Sequence, residues 1–354
     1  MDKIFGQLHL ANTPRQGASF HQRHAHNYYV MGKRRAEDGA LDDAERLLKR
    51  ALHFNPVLTA ALHTLANIEL ARNRHLAARA YAERAITANP NDPEAYALLG
   101  NIALSDRKPA DALDAFAQAR QNGGDGLELH YNTGLAHLLL GQGDEAALIF
   151  TRLTDEQPLN HRAWDALGCA RRMLKDSHSA TNAFLQALTI DPQFNDARDH
   201  LAQLFLELGK LTRARQVLEA ALAIDPYRPT TRHLLGMTFS ASQEFDHAAE
   251  CWEGLIAQGG ATSETYHLLA NAYLHLDDTP RACTVLESLT KLYPQHIAGH
   301  LQLALLLLET GEQERGYQHL DVARALDPHN PAIAHVLAAT ELLTKHTLPA
   351  SDPT

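Results

Sequence analysis

Twenty-two histidines, three cysteines and forty-two carboxylates give this 354-residue chain raw material for metal or nucleophile chemistry. A zinc site brings several such ligands to one point, most simply through His-Glu-x-x-His on a helix or Cys-x-x-Cys in a turn. Neither spacing occurs. His21, His24 and His26 form the densest local group. His21 and His24 share a helix face while His26 points elsewhere, so solvent-facing or stacking rings are expected, and no metal site. Cys169, Cys251 and Cys283 are far apart, which suggests neither a disulfide framework nor a thiolate zinc site. Cys169 lies near Arg162 and Arg172, cations that lower a thiol pKa, but His161 and His178 have no evident orienting role and a packing role is expected. Asp42 and Asp43 fall at a helix start, where carboxylates favour the amino end rather than run acid and base chemistry. Glycine-rich phosphate loops, the serine nucleophile elbow and the kinase motifs are absent from the sequence. The reading is no catalytic residue, no metal and no cofactor.

Composition bounds the rest. A 45% hydrophobic and 21% charged chain buries enough apolar surface to fold and is not a disordered or fibrous type. The longest aliphatic run, Leu303 to Leu308, is far short of the ~20 residues that span a bilayer, so no integral membrane segment is expected. The amino-terminal residues lack the apolar stretch and cleavage site of a secretory signal, which gives a cytoplasmic expectation. The net charge of −10 is concentrated after Phe239, where five basic residues face fifteen acidic ones. A nucleic-acid track needs a basic stripe, so no nucleic acid is expected as a partner.

The elements that would position any functional side chain emerge when the chain is cut every 34 residues from Ala25, with units opening at Thr59, Pro93, Leu127, His161, Asn195, Pro229, Ser263 and Ile297. Column eight then holds only Gly or Ala: Gly32, Ala66, Gly100, Gly134, Gly168, Ala202, Gly236, Ala270 and Ala304. Column twenty is alanine from Ala44 to Ala282, closing with Gly316. Small residues at fixed intervals mark places where two helix backbones approach closely. Large apolar groups such as Leu48, Phe116, Phe150 and Trp252 recur between them and supply volume. Seven units end at a proline, from Pro56 to Pro328, and two at Gly-Gly pairs. Both are helix stops. Within a unit, residues 1 to 14 and 17 to 30 carry apolar groups at helical spacing, predicting two amphipathic helices. One such pair cannot hide both apolar faces, and stacking supplies the missing neighbour.

Trp164, Leu167, Gly168, Ala180, Phe184, Ala187 and Pro192 stand in the order of the tetratricopeptide signature, and the chain resembles that family over nine units from Ala25 to Asn330. The resemblance implies an all-α, right-handed superhelical solenoid. It would comprise a partly helical extension over 1–24, nine repeats over 25–330, a capping helix over 331–345 and a flexible tail over 346–354. No separate catalytic domain is expected in the short unassigned ends.

In the family the first helices line a concave groove. Carrying that geometry over selects Asn67, Asn101, Tyr131, Asn132, Arg162, Arg172, Gln203 and Asn271 as peptide-contacting positions, with His63, His233 and Met237 in the same groove columns. Asn pairs with both peptide groups, Tyr gives rigid amphipathic contact and Arg makes a two-bond contact with a carboxylate. An alternative keeps Arg162 and Arg172 in ion pairs with acidic side chains on adjacent helices. The implied function is a noncatalytic scaffold or adaptor that binds a protein or peptide segment within a larger assembly. The alternative is a regulatory or substrate-recruiting subunit of an enzyme on a separate chain. At the carboxy end, Ile333, Val336, Leu337, Leu342 and Leu343 allow either a solvated cap or weak self-association.

Overall fold

The computed structural model describes residues 14–334 and 336, and among these residues there are eighteen α-helices, the start of a further helical stretch at 331–334, and no strand. The first compact unit, Met1–Ala183, contains α1 (Pro14–Glu37), α2 (Leu41–Phe54), α3 (Thr59–Ala71), α4 (His75–Ala88), α5 (Pro93–Ser105), α6 (Pro109–Gln121), α7 (Leu127–Leu139), α8 (Gly143–Glu156) and α9 (His161–Met173). The division falls inside α10 (Ser177–Ile190). The second unit, Phe184–Thr354, contains α11 (Asn195–Glu207), α12 (Leu211–Ile224), α13 (Pro229–Ala241), α14 (Phe245–Ala257), α15 (Ser263–His275), α16 (Thr279–Leu292), α17 (Ile297–Glu309) and α18 (Gln313–Leu326). Each unit is a solenoid of stacked helix pairs.

From the second repeat onward the first helix fills columns 1 to 13, and the second fills columns 17 to 30. Helices α6 and α14 end one residue early, in the two repeats closed by Gly-Gly. Helix α1 begins eleven residues ahead of the repeat frame, so the described part of the extension is continuous with the first repeat's helix. At the other end Ile333 and Val336 are buried with Leu301, Leu308 and Leu320 against the ninth repeat. The rest of the expected cap, 337–345, with its proposed self-association surface, and the tail 346–354 lie outside the described residues.

Local chemistry explains these bounds. Column fifteen, the turn between the paired helices, is left-handed in every repeat: Gly39, Asn73, Arg107, Gly141, Lys175, Gly209, Gln243, Asp277 and Gly311 all have positive φ. The following N–H then reaches back five residues to a first-helix carbonyl, as in Arg74 to Glu69 at 2.8 Å and Lys108 to Ala103 at 2.8 Å. This satisfies carbonyls left open by the helix end. Between repeats, Asn55, Asn89, Asp191 and Asp225 each accept the N–H two residues on, so the Asn-Pro and Asp-Pro pairs close Asx turns.

Column four secures the same turn from the next helix. Trp164 Nε1 donates to the Pro158 carbonyl at 2.9 Å, Arg198 and Arg232 donate to Pro192 and Pro226 at 2.5 and 2.7 Å, and His300 Nε2 stands 3.0 Å from the Pro294 carbonyl. Three kinds of side chain at four positions thus make one bond, each six residues from its acceptor.

Column eight meets column twenty-four within a repeat. A Cβ on Gly134 would lie 2.6 Å from Phe150 Cζ, and one on Gly236 would lie 2.7 Å from Trp252 Nε1. Both rings are fully buried. First helices also touch their successors, α1 with α3, α3 with α5, α5 with α7, α7 with α9, and α11 with α13. This arrangement lays residues of successive first helices side by side.

Candidate peptide-binding face

In the first unit, Asn101 on α5, Tyr131 and Asn132 on α7 and Arg162 on α9 come together along this face. Asn132 Nδ2 donates to Asn101 Oδ1 at 2.8 Å. The Arg162 guanidinium carbon stands 5.2 Å from the centre of the Tyr131 ring, within the range of a cation–π contact. Tyr131 in turn packs edge-on against buried Phe150, with ring centres 5.6 Å apart. The core therefore fixes the ring, and the ring supports the cation. Burial pushes the Tyr131 phenol above its ordinary value, while Arg162 acts in the opposite direction.

Beside this strip a cavity of about 310 Å³ is lined by Leu127, Glu128, Asn132, Gln157, Asn160 and Arg162, among others. Its walls mix apolar, amide and charged groups, which suits a peptide side chain with a polar end. Asn160 caps α9 by accepting the Ala163 N–H at 3.1 Å, so one wall is fixed by the same contact that starts the helix. Arg162 is exposed, and its described contact is the Tyr131 ring.

The other expected positions are arranged differently. Asn67 is exposed on α3 and stands outside the Asn101–Asn132 hydrogen bond. Arg172 is half-buried in the last turn of α9, ten residues beyond Arg162, which is ~15 Å along the helix axis. The two arginines are therefore separate positive points. In the second unit, Gln203 lines a larger cavity of about 690 Å³ with Asp199, Leu206, Arg228, His233 and Met237. Arg228 is tied there to Asp199 at 2.8 Å and to Asp196. Asn271 accepts a 2.6 Å hydrogen bond from Gln302 Nε2. This repeats the Asn132–Asn101 geometry, with column six reaching back to column nine of the preceding repeat.

Column five, chosen with the groove, often serves as an inter-repeat tether. His63 is buried, 2.9 Å from Asp92 Oδ2 through Nε2 and 3.0 Å from Glu94 Oε2 through Nδ1. Asp92 also caps α5 by accepting the Glu94 and Ala95 N–H groups. Burial pulls His63 down, but Glu94 and Asp92 outweigh it and the net displacement is upward. Glu94 is pulled below the ordinary carboxylate range, by His63 above all. Asp199 repeats the pattern in the second unit, held by Arg228 and by a 2.6 Å hydrogen bond from Thr231. The signal available in sequence was the acidic or basic residue 29 to 31 positions after column five, as in His63 with Asp92 and Glu94.

Among the described residues no helix is long and apolar enough to cross a membrane. A tetratricopeptide repeat profile matches residues 29–93, 63–125, 97–161 and 166–229, and a second profile of the same repeat matches residues 264–296. The chain is 26% identical over 207 residues to an Arabidopsis thaliana "Protein CTR9 homolog", covering 56% of this chain and 19% of that protein. It is 25% identical over 193 residues to Schizosaccharomyces pombe "Anaphase-promoting complex subunit 3", covering 54% and 29% respectively. It thus spans well under half the length of these curated relatives. The solved structure of PilW, a widely conserved type IV pilus biogenesis factor, aligns with a TM-score of 0.55 and 20% identity, covering 60% of this chain and 98% of that one. Repeat profile, helix pairing and structural likeness agree, and the chain belongs to the tetratricopeptide repeat family.

Proposed function

We propose that this protein is a noncatalytic interaction scaffold which holds a peptide segment of a partner along the first-helix face of its first unit. The general role as a protein-binding repeat scaffold rests on the family. The finer reading rests on one observation: the Arg162 guanidinium stacked on Tyr131 at the edge of a 310 Å³ cavity, next to the Asn101–Asn132 pair. A guanidinium held on an aromatic face keeps its donors available to a carboxylate, and the paired amides retain further donor and acceptor capacity for a peptide backbone. An acidic peptide segment is the partner chemistry that fits. The name of the fission yeast relative supports a place within a multiprotein assembly, and a cytoplasmic location belongs to the same reading.

Selection from a displayed peptide library on the intact protein tests this. The reading expects enrichment of peptides bearing a carboxylate, and loss of that enrichment when Tyr131→Ala and Arg162→Ala are combined. Recovery of the same peptides by both proteins contradicts it.

A further inference from the structure

A first helix packs against the second helix of the repeat before it. Ala61, Leu65 and Ile68 of α3 share a buried cluster with Leu48, Ala51 and Leu52 of α2. Ala163, Leu167 and Ala170 of α9 share one with Ala147, Phe150 and Leu153 of α8. These positions are columns three, seven and ten. Column three is buried in every repeat from Ala61 to Gly299, and column ten in every repeat from Ile68 to Leu306. Column seven is buried or half-buried from Leu65 to Leu303.

The first repeat departs from this. Its columns three, seven and ten hold Asn27, Met31 and Arg34 of α1, and all three are exposed. Among the described residues no helix precedes α1. Met31 is 54% exposed and its neighbour Val30 48%. Helix α1 carries the same face ahead of the repeat frame: Phe20 lies seven residues, two helical turns, before Asn27 and is 50% exposed. Its ring meets that of His24 at 4.1 Å between centres, and His24 stacks on Phe54 at 5.3 Å, so the exposed ring is held in place. A terminal repeat stays soluble by making this face polar. Asn27 and Arg34 do so, whereas Phe20, Val30 and Met31 keep three large apolar groups on one side of the helix. An exposed apolar stripe edged by polar residues marks an interaction surface.

We propose that this face of α1 receives an acidic amphipathic helix of a partner protein, seated where a second helix lies against α3 and α9. Repeat geometry supplies the shape of the occupant, since α2 packs on α3, α4 on α5, α6 on α7 and α8 on α9. Charge supplies its chemistry. From Phe20 to Glu37, α1 carries Arg23, Lys33, Arg34 and Arg35 against Glu37 alone, and Arg34 stands on the face itself, three residues past Met31. A helix whose apolar stripe is flanked by carboxylates complements that pattern. A second copy of the chain does not. Two α1 helices packed face to face would oppose like charges, and at the other end of the array Ile333 and Val336 already cover Leu320 of α18.

The test presents a displayed library of amphipathic helices, with leucines fixed at i, i+3, i+4 and i+7 and polar positions randomised, to the full chain carrying Tyr131→Ala and Arg162→Ala. That background removes acidic peptides held by the face proposed above, so the two readings fail separately. Helices rich in Asp and Glu are expected to be retained, and to be lost when Met31→Glu is added. When Arg34→Glu is added instead, enrichment is expected to move toward Lys and Arg. Both positions are exposed, and circular dichroism checks that the variants keep their helical content. Retention of the same helices after Met31→Glu, or a charge preference that Arg34→Glu leaves unchanged, overturns the proposal. No retention by the parent protein overturns it as well, and leaves the face to solvent or to residues 1–13. A parent that sediments as a dimer beside a monomeric Met31→Glu variant also overturns it, and assigns the face to a second copy.

Discussion

A Cβ built on Gly100 would lie 2.2 Å from Cε1 of Phe116, a distance that real side chains do not adopt. Phe116 is 1% exposed and belongs to the buried cluster of Ala103, Ala112, Ala119 and Leu129. The pairing continues along the array: glycine in column eight faces a ring at Gly134–Phe150 and Gly236–Trp252 and a leucine at Gly32–Leu48, whereas alanine at Ala66, Ala202, Ala270 and Ala304 is matched by Ala82, Leu218, Leu286 and Leu320. One residue sets the helix separation and the other fills it.

Gly100→Ala is therefore expected to destabilise the protein by overpacking, ~1 to 3 kcal/mol, and Gly100→Leu by more. Gln118→Ala, at an exposed position of α6, should be close to neutral. Thermal unfolding followed by circular dichroism compares them. A Gly100→Ala midpoint equal to wild type would remove the steric account of column eight.

Column fifteen gives a prediction of opposite sign. Arg107 and Lys175 hold φ of 57° and 59°, a region that costs an ordinary L-residue ~1 to 2 kcal/mol. Arg107→Gly should raise the denaturant midpoint, and Gly141→Ala, at φ 76°, should lower it. Glycine also loses more entropy on folding, so the gain at Arg107 is expected to be the smaller change.

The His63 tether makes stability depend on pH in a defined direction. Asp92 and Glu94 contact the imidazole, and Lys33 acts on Glu94. The folded-state pKa of His63 is raised, so its contribution is fully present below the unfolded value of about 6.5 and is lost as pH rises through the folded value. That of Glu94 is lowered, so its contribution is present above about 4.5 and is lost as pH falls through the folded value. The stability difference between wild type and His63→Gln should shrink between pH 6 and pH 8. Denaturant midpoints measured across that range, with the His63 titration followed by NMR, check it; a difference independent of pH contradicts the tether.

The periodic features were legible in the sequence because they are enforced at every repeat. Small columns, helix-stopping prolines and apolar spacing place the described helices from α2 onward within a residue or two of their observed ends, while α1 starts eleven residues ahead of the frame. Side-chain pairing across repeats was not legible in the same way. Asn101 with Asn132 and Tyr131 with Arg162 are both 31 residues apart, three short of the period, and this offset depends on how far one repeat is rotated on the next. Periodicity carries no information about that rotation. His63 illustrates the consequence: its column suggested an open groove, while Asp92 at the end of its own unit and Glu94 at the start of the next draw it into a buried contact. The left-handed turn was hidden because five of its nine residues are not glycine.

The central claim is that the Tyr131–Arg162 stack receives the carboxylate of a bound peptide. Its most direct measurement is calorimetry of a library-selected acidic peptide with the intact protein and with Arg162→Ala, at two salt concentrations. Arg162 is exposed, so solvent and salt screen it, and a loss of about tenfold at low salt is expected, narrowing as salt rises. Replacing the peptide carboxylate by an amide should cost the intact protein about the same factor and the variant nothing further. Equal affinity of both proteins for the acidic peptide, with helical content preserved, would contradict the account and place peptide recognition elsewhere on the chain.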